Sequence, residues 1–555
     1  MTNPNNDYTS RGWLLAVAML AVLLIVSFIP PIEAGGISLR RASIISELIP
    51  HNDNEATSAE EQQAAPEIDV EEFEVDLKKV AEQVAQTTAS ASPLGEATSA
   101  SWEGIFDEQP TGGEENSRRG EAMLPLEEML AADFSDILPA DSLIIPIEEF
   151  RVDDFDSPMS RLYEKLLVGG DVVRVAFMGD SFVEGDILTA DLRELLQDSF
   201  GGGGVGYVPV ASPFTGFRQT IKTTAKGWTP YNIMQRKSVP QPYVDDFFVS
   251  GWVAKATSGA STRWEMSSKR RHLENCSRAR LLFISREDTR IVVNLNDEVE
   301  REFEFEASDI VRQIVIEDKQ IRSLEMRVES GAAGFTAIGA DFDARDGVAV
   351  DNLSIRSNNG QAMFWSNASV NAQIHSMRPY DLVVLQYGLN IMQADRYNYS
   401  LYGEQVKKMI SYAESCFPGA AIIVMGVSDR SQRNEQGFAP MSSAEDLARD
   451  QRTAAEQSGV AFWNTYRAMQ RLGGMTEFVA QGWAGKDYTH INYAGGREIA
   501  RMLYYAMLQG AQRYSRMMRA RMEQSKPILN EPLQLVRTIE PVRRSEEHTS
   551  ELQSR

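Results

Sequence analysis

The chain has 555 residues, with 79 Asp and Glu against 55 Lys and Arg and a formal net charge of −24. A surface of that sign repels a polyanion, so nucleic acid is not expected as a partner. Two cysteines without CxxC spacing, Cys276 and Cys416, and five scattered histidines without an HExxH pattern argue against a metal cage, and no cofactor is expected. An apolar fraction of 43% is ordinary for a globular protein, and the length allows more than one domain.

Gly12 to Ile29 is almost wholly apolar and is closed by Pro30-Pro31. At about 1.5 Å per residue the run is just long enough to cross a bilayer core. Arg11 precedes it and Trp13 suits the interface. The reading is an uncleaved membrane anchor over residues 12–32. The alternative is a cleaved export signal with Ile32-Glu33-Ala34 as a weak site. Both export the rest of the chain. Residues 42–140 are rich in Ala, Ser, Glu and Asp without a sustained apolar period. They read as a largely disordered acidic linker, with short helices at Glu71 to Ala85 and Leu124 to Leu130.

Order is expected from Asp156-Ser157-Pro158, a cap followed by Pro at the first helical position, with Gly169-Gly170 ending that helix. Five short apolar runs follow: Val172 to Phe177, Val348 to Leu353, Leu382 to Tyr387, Ala421 to Met425 and Val460 to Trp463. Continuous apolar strands of this length are expected of a parallel sheet covered on both faces. Helical spacing lies between them, at Leu188, Leu192, Leu195 and Leu196, and at Tyr402, Val406, Met409 and Ile410. A last helix is expected from about Gly495 to Met522. The fold class is therefore α/β, a doubly wound sheet flanked by helices, built from residues 156–206 and 346–522.

Between these halves the period switches to two. Arg290 to Asn296, Arg301 to Glu306, Arg312 to Glu317 and Leu324 to Val328 read as consecutive antiparallel strands. Residues 207–345 are thus expected to form an inserted β-sandwich-like module. Its Trp228, Trp252 and Trp264 either stack on sugar faces or pack in the core. The tail, residues 544–555, matches an in-frame translation of a common sequencing adapter; it is read as an artefact and His548 is given no role.

The chemistry sits at strand ends. Gly179-Asp180-Ser181 follows the first apolar run, so a tight turn holds a serine hydroxyl at the carboxyl edge of the sheet, where open α/β sheets place their sites. A serine needs a base, and histidine supplies one when a carboxylate fixes its tautomer. Asp487-Tyr488-Thr489-His490 offers both, three residues apart. Tyr387-Gly388-Leu389-Asn390 follows another strand, and an asparagine there can donate to a developing oxyanion. The loop Ser354 to Gly360 offers a further backbone donor.

On these blocks the chain resembles the SGNH/GDSL hydrolase family over about Asp156 to Arg513. Block I is Gly179-Asp180-Ser181, block III Gly388-Leu389-Asn390 and block V Asp487-Tyr488-Thr489-His490. The resemblance implies a flavodoxin-like sheet with Ser181 as nucleophile, His490 as base and Asp487 as its orienter. The Ser181 amide and Asn390 would be oxyanion donors. Two positions depart from the pattern. Ile391 stands where an Asp usually follows the asparagine, and the block II glycine is replaced by Ser357 or, as second choice, Gly360.

The resemblance is closer to bacterial exported polysaccharide or peptidoglycan O-acetylesterases. It implies a single-pass inner-membrane protein with its catalytic domain in the periplasm, acting on an acetylated glycan. Two rival expectations are a polysaccharide O-acetyltransferase working with a membrane-bound acyltransferase partner, and a noncatalytic glycan-binding protein.

Overall fold

A computed structural model describes residues 33–34, 37–38, 75–90, 99–103, 132–151, 155–213, 218–435 and 437–530. The expected membrane span, the Leu124 to Leu130 helix and the 544–555 tail lie outside these residues. No helix among those described is long and apolar enough to cross a membrane. The chain divides into residues 1–66 and 67–555. Within the first, Glu33–Ala34 pairs antiparallel with Ile37–Ser38. Everything below concerns the second.

The acidic linker is not structureless throughout. Leu77–Ser90 is a helix, α1, and Ser99–Glu103 a strand, β1. Val80 and Val84 of α1 are buried, and Thr87 Oγ1 lies 2.9 Å from Ser369 Oγ. Trp102 of β1 is 1% exposed, beneath the Arg301 guanidinium at 4.7 Å. Further on, Phe134, Ile144 and Ile147 are buried. A few anchors that dock on surfaces formed elsewhere leave no apolar period to read, which is why this stretch was expected to be disordered.

The helix Pro158–Val168, α2, starts as its sequence dictates. Ser157 Oγ accepts from the Ser160 amide at 3.1 Å, Pro158 fills the first turn, and Gly169 ends it at φ 67°. Strand Val172–Gly179, β2, is buried along its whole length, and helix Thr189–Phe200, α3, follows.

The chain then leaves for the β-rich module: Gly206–Val208 (β3), Ile221–Asn232 (β4), Trp252–Met266 (β5), Cys276–Ser285 (β6), Thr289–Leu295 (β7), Val299–Phe305 (β8), Ser308–Ile321 (β9), Ser323–Ser330 (β10) and Phe335–Asp343 (β11). The long β5 pairs with β4 on one side. On the other it pairs with β10 near its end and with β11 near its start, so it serves both halves of the module. The four stretches expected to be consecutive antiparallel strands are all strands, but not all of them pair with the next in sequence. β7 and β8 form a hairpin, but β9 pairs with β6 and with β1, whereas β10 returns to β7 and β5. Alternation of apolar residues sets which face is buried, not which strand lies beside it. Cys276 and Cys416 are both free and buried. The two crossings at the module's root run side by side, with the Val348 amide donating to Gly201 O at 3.0 Å. A Cβ on Gly347 would stand 2.2 Å from Gly201 C, so only glycine permits this approach.

Back in the α/β layer come Gly347–Asn352 (β12), helix Ala368–Met377 (α4), Leu382–Gln386 (β13), helix Ser400–Cys416 (α5) and Ala421–Met425 (β14). A small hairpin, Ser431–Asn434 (β15) with Gly437–Pro440 (β16), precedes helix Ser443–Ser458 (α6) and strand Ala461–Trp463 (β17). Helices Thr465–Arg471 (α7), Gly474–Ala480 (α8) and Tyr493–Asn530 (α9) close the chain. The sheet order is β12-β2-β13-β14-β17, every pairing parallel. One apolar cluster covers each face of this sheet and a third fills the module, so the expected α/β class and the five strands stand. The free edge at β17 is closed by an antiparallel bridge to Glu148, its amide donating to Phe462 O at 2.8 Å.

Candidate active site

Four loops at the carboxyl edge of the sheet converge. After β2 the chain turns at Gly179-Asp180, and Ser181 follows. After β12 the Ile355 amide donates to Gly179 O at 2.9 Å, and Asn352 Nδ2 donates to Val183 O at 2.8 Å. Arg356 Nε also donates to Glu184 at 2.7 Å. The loop bearing Ser357 is thereby laid along the loop bearing Ser181. After β13, Gly388 adopts φ 127°, and a Cβ there would meet Gln451 and Val427 at 3.1 Å. The last loop, before α9, carries Asp487 and His490.

These loops bring Ser181, His490 and Asp487 into one chain of contacts. Ser181 Oγ lies 3.0 Å from His490 Nε2, and His490 Nδ1 lies 2.8 Å from Asp487 Oδ2. Half-burial raises the Asp487 pKa, but the His490 ring and the amides of His490 and Thr489 outweigh it and hold the carboxyl at about 2. Asp487 is therefore an acceptor only, which puts the ring proton on Nδ1 and leaves Nε2 to accept from the Ser181 hydroxyl. The side chains of His490 and Asp487 are 47% and 49% exposed, so the site opens to solvent.

The oxyanion side differs in part from expectation. Asn390 Nδ2 donates to Asn358 O at 3.0 Å and, more weakly, to Asp180 Oδ2 at 3.3 Å. Ser357 is exposed with a left-handed backbone, φ 59°. Among the described residues neither the Ser181 nor the Ser357 amide has an acceptor. Gly360 does not offer a donor. Its amide is held by Asn358 Oδ1 at 2.9 Å, and the residue is buried against Met409. An Asx turn inside the loop takes the N–H that the sequence left unassigned. Ile391, where an Asp was expected, is buried in the apolar cluster under the site.

Two residues matter here beyond those singled out from the sequence. Asn358 ties the Gly360 amide with its side chain and holds Asn390 with its carbonyl. Its signal was the Asn-Asn-Gly turn. Asp180 is wholly buried beside the nucleophile, with Oδ1 accepting from the Phe182 amide at 2.9 Å. Its signal was a carboxylate at the end of an apolar strand. Of the tryptophans, Trp264 is core, Trp228 donates to Ser261 O at 2.9 Å, and Trp252 lines a cleft at the root of the module.

No family model matches the chain, and no curated protein matches it in sequence. In fold it matches a solved peptidoglycan O-acetylesterase, with a TM-score of 0.53 at 22% identity, over 66% of this chain and 99% of that one. The chain shares the fold of that structure. Two other matches overlap too loosely to bear on this. One is a family two carbohydrate esterase from Cellvibrio japonicus, with a TM-score of 0.23 at 9% identity over 53% of this chain and 99% of that one. The other is a lipase/acylhydrolase from Enterococcus faecalis, with a TM-score of 0.21 at 17% identity over 32% and 77%. The residues that carry the resemblance read from the sequence lie at the ends of β2 and β13 and in the loop before α9.

Proposed function

We propose that this chain is a serine carboxylic ester hydrolase that removes acetyl groups from a carbohydrate, peptidoglycan or another polysaccharide. The observation that carries the reading is the continuous Ser181–His490–Asp487 contact chain at the carboxyl edge of the sheet. Ser181 Oγ attacks the acetyl carbonyl carbon while its proton passes to His490 Nε2, and Asp487 stabilises the imidazolium. The carbonyl oxygen becomes an oxyanion facing the Ser181 amide, the Asn390 side chain and the Ser357 amide. As the tetrahedral intermediate collapses, the sugar oxygen leaves with the proton from His490, and acetyl stays on Ser181. Water, deprotonated by His490, then attacks the acyl carbon and releases acetate.

The half-exposed triad supports a polymeric substrate, because a deeply buried one would admit only small esters. The apolar segment Gly12 to Ile29 supports a membrane-tethered enzyme working outside the cytoplasm. The test is acetate release from O-acetylated peptidoglycan and from a small acetyl ester, wild type beside Ser181→Ala. A folded Ser181→Ala protein should lose at least about 10³-fold in kcat on both. An unchanged rate would sink the reading. Acetyl transfer to added glycan that outpaces hydrolysis would make the protein a transferase.

A further inference from the structure

The Asn390 carboxamide nitrogen carries two N–H bonds and has two acceptors. Asn358 O lies 3.0 Å away and Asp180 Oδ2 3.3 Å. Both hydrogens are therefore engaged before a substrate arrives, and an oxyanion takes one only by displacing an acceptor. Asn358 O is the nearer, and its loop is closed by the Asn358 side chain on the Gly360 amide. The Asp180 contact is the longer, so it is the one that yields.

How easily it yields depends on the proton of this buried carboxyl. An ionised Asp180 holds the Asn390 N–H by a charge-assisted bond and sets a negative charge beside the place where the oxyanion forms. A neutral Asp180 does neither. Its Oδ1 accepts from the Phe182 amide at 2.9 Å, so the proton belongs on Oδ2, the oxygen facing Asn390. A protonated Oδ2 is a weak acceptor and gives up the N–H. Titratable groups face Asp180 from three sides. His490, in the loop before α9, favours the ionised form. Tyr387, just after β13, and Tyr402 of α5 are buried, and burial with Asp180 beside them pushes both phenols far above neutral pH, so they stay uncharged. Burial raises the Asp180 carboxyl more than His490 and the amides lower it, to about 7. It is neutral below that pH and ionised above it.

On the esterase reading, we propose that Asp180 is a proton-controlled brake on the oxyanion hole: ionised, it keeps the Asn390 N–H from the ester carbonyl, and protonated, it releases it. Asp180 acts through Asn390 and is a positioning residue. The carboxyl beside the nucleophile thus sets the pH above which the enzyme slows.

The experiment measures kcat for 4-nitrophenyl acetate from pH 5 to 9 on the full chain, for wild type, Asp180→Asn and Asn390→Ala. Dividing each variant's kcat by that of wild type at the same pH cancels the titration of His490 that the proteins share. The Asp180→Asn ratio should rise about fivefold or more between pH 6 and 8, because only the wild type engages the brake. Asn390→Ala has no N–H to withhold, so its deficit should narrow over the same interval. A role of Asp180 in stability alone would not produce that narrowing. A level ratio in either folded variant overturns the proposal. If Asp180→Asn does not fold, Asn390→Ala decides. Failure of the esterase reading looks different, since wild type then hydrolyses nothing at any pH. The contact is in that case read without turnover, by nitrogen-15 labelling of asparagine. The side-chain amide signal that is missing from Asn390→Ala should shift between pH 6 and 8 in wild type, and a signal that stays in place overturns the proposal.

Discussion

Asp180 stands next to Ser181, wholly buried. Burial raises its pKa most strongly. The Phe182 amide, His490 and the Leu389 amide pull the other way, and the carboxyl ends near 7. An unfolded aspartate titrates near 3.9. Between those values the native state holds a proton that the unfolded state has released. The stability tied to neutral Asp180 is therefore full below about pH 4 and is lost as pH rises to 7. Asp180→Asn does not titrate. Its stability relative to wild type should climb from pH 4 to pH 7, by up to about 4 kcal/mol. Any fixed cost of turning the amide toward Asn390 cancels, because the slope is what is read. Urea unfolding of both proteins at pH 4, 5.5 and 7 checks this, and parallel curves would refute it. Asn390→Ala, by contrast, should leave stability nearly level and lower kcat on a small ester by about 10²-fold, through the lost oxyanion donor. Ser181, Asn390, Asp487 and His490 were legible because each lies a fixed few residues from a strand end or a partner. Gly360 misled because a backbone N–H carries no sequence label, and only the Asn358 side chain reveals that it is taken.

At the scale of elements, the hairpin of β15 and β16 braces the catalytic histidine from behind. Phe438 stacks on Tyr488 at 3.8 Å and 8°, and the Ser431 amide donates to Tyr488 O at 3.1 Å. Tyr488 sits between Asp487 and His490 with φ 54°, a conformation that costs a bulky residue about 1–2 kcal/mol. An aromatic pair is worth about 0.5–1.5 kcal/mol beyond its buried area, enough to hold it there. Phe438 is thus a positioning residue. Phe438→Ala should lower kcat about tenfold with KM for a small ester little changed, and Phe438→Tyr should restore it. A Phe438→Ala protein with full kcat would show that the loop holds itself. The five parallel strands could be read because strands buried on both faces are continuously apolar. This hairpin could not, since Ser-Gln-Arg-Asn is wholly polar and Gly-Phe-Ala-Pro is short and begins and ends on turn residues. The same blindness hid β1 and the docking of α1, whose anchors are Trp102, Val80 and Val84 in otherwise acidic sequence, although a helix at Glu71 to Ala85 was itself legible.

For the whole molecule, the question is whether the module and the sheet are one body. Their junction is ionic as well as apolar. Arg378, at the end of α4, places Nε 2.6 Å from Asp341 of β11 and Nη2 2.7 Å from Asp351 of β12, all three wholly buried. Arg280 of the module reaches Asp341 as well, at 3.1 Å. Arg174 of β2 pairs with Asp343 of β11, which Arg278 also meets at 2.8 Å. Such pairs stabilise little against a well-packed apolar replacement, but removing one partner strands the other. Arg378→Met leaves buried Asp351 with only the Tyr380 hydroxyl and the Tyr207 amide as partners, and Asp341 with Arg280 alone. It should cost about 3–5 kcal/mol. The remaining ties, Arg174 to Asp343 and Arg218 to Asp186, still span the junction, so the loss should appear as one melting transition moved down. Calorimetry of the full chain reads this directly. Two separated transitions in Arg378→Met, with the module melting first, would mean that the junction hangs on this one guanidinium.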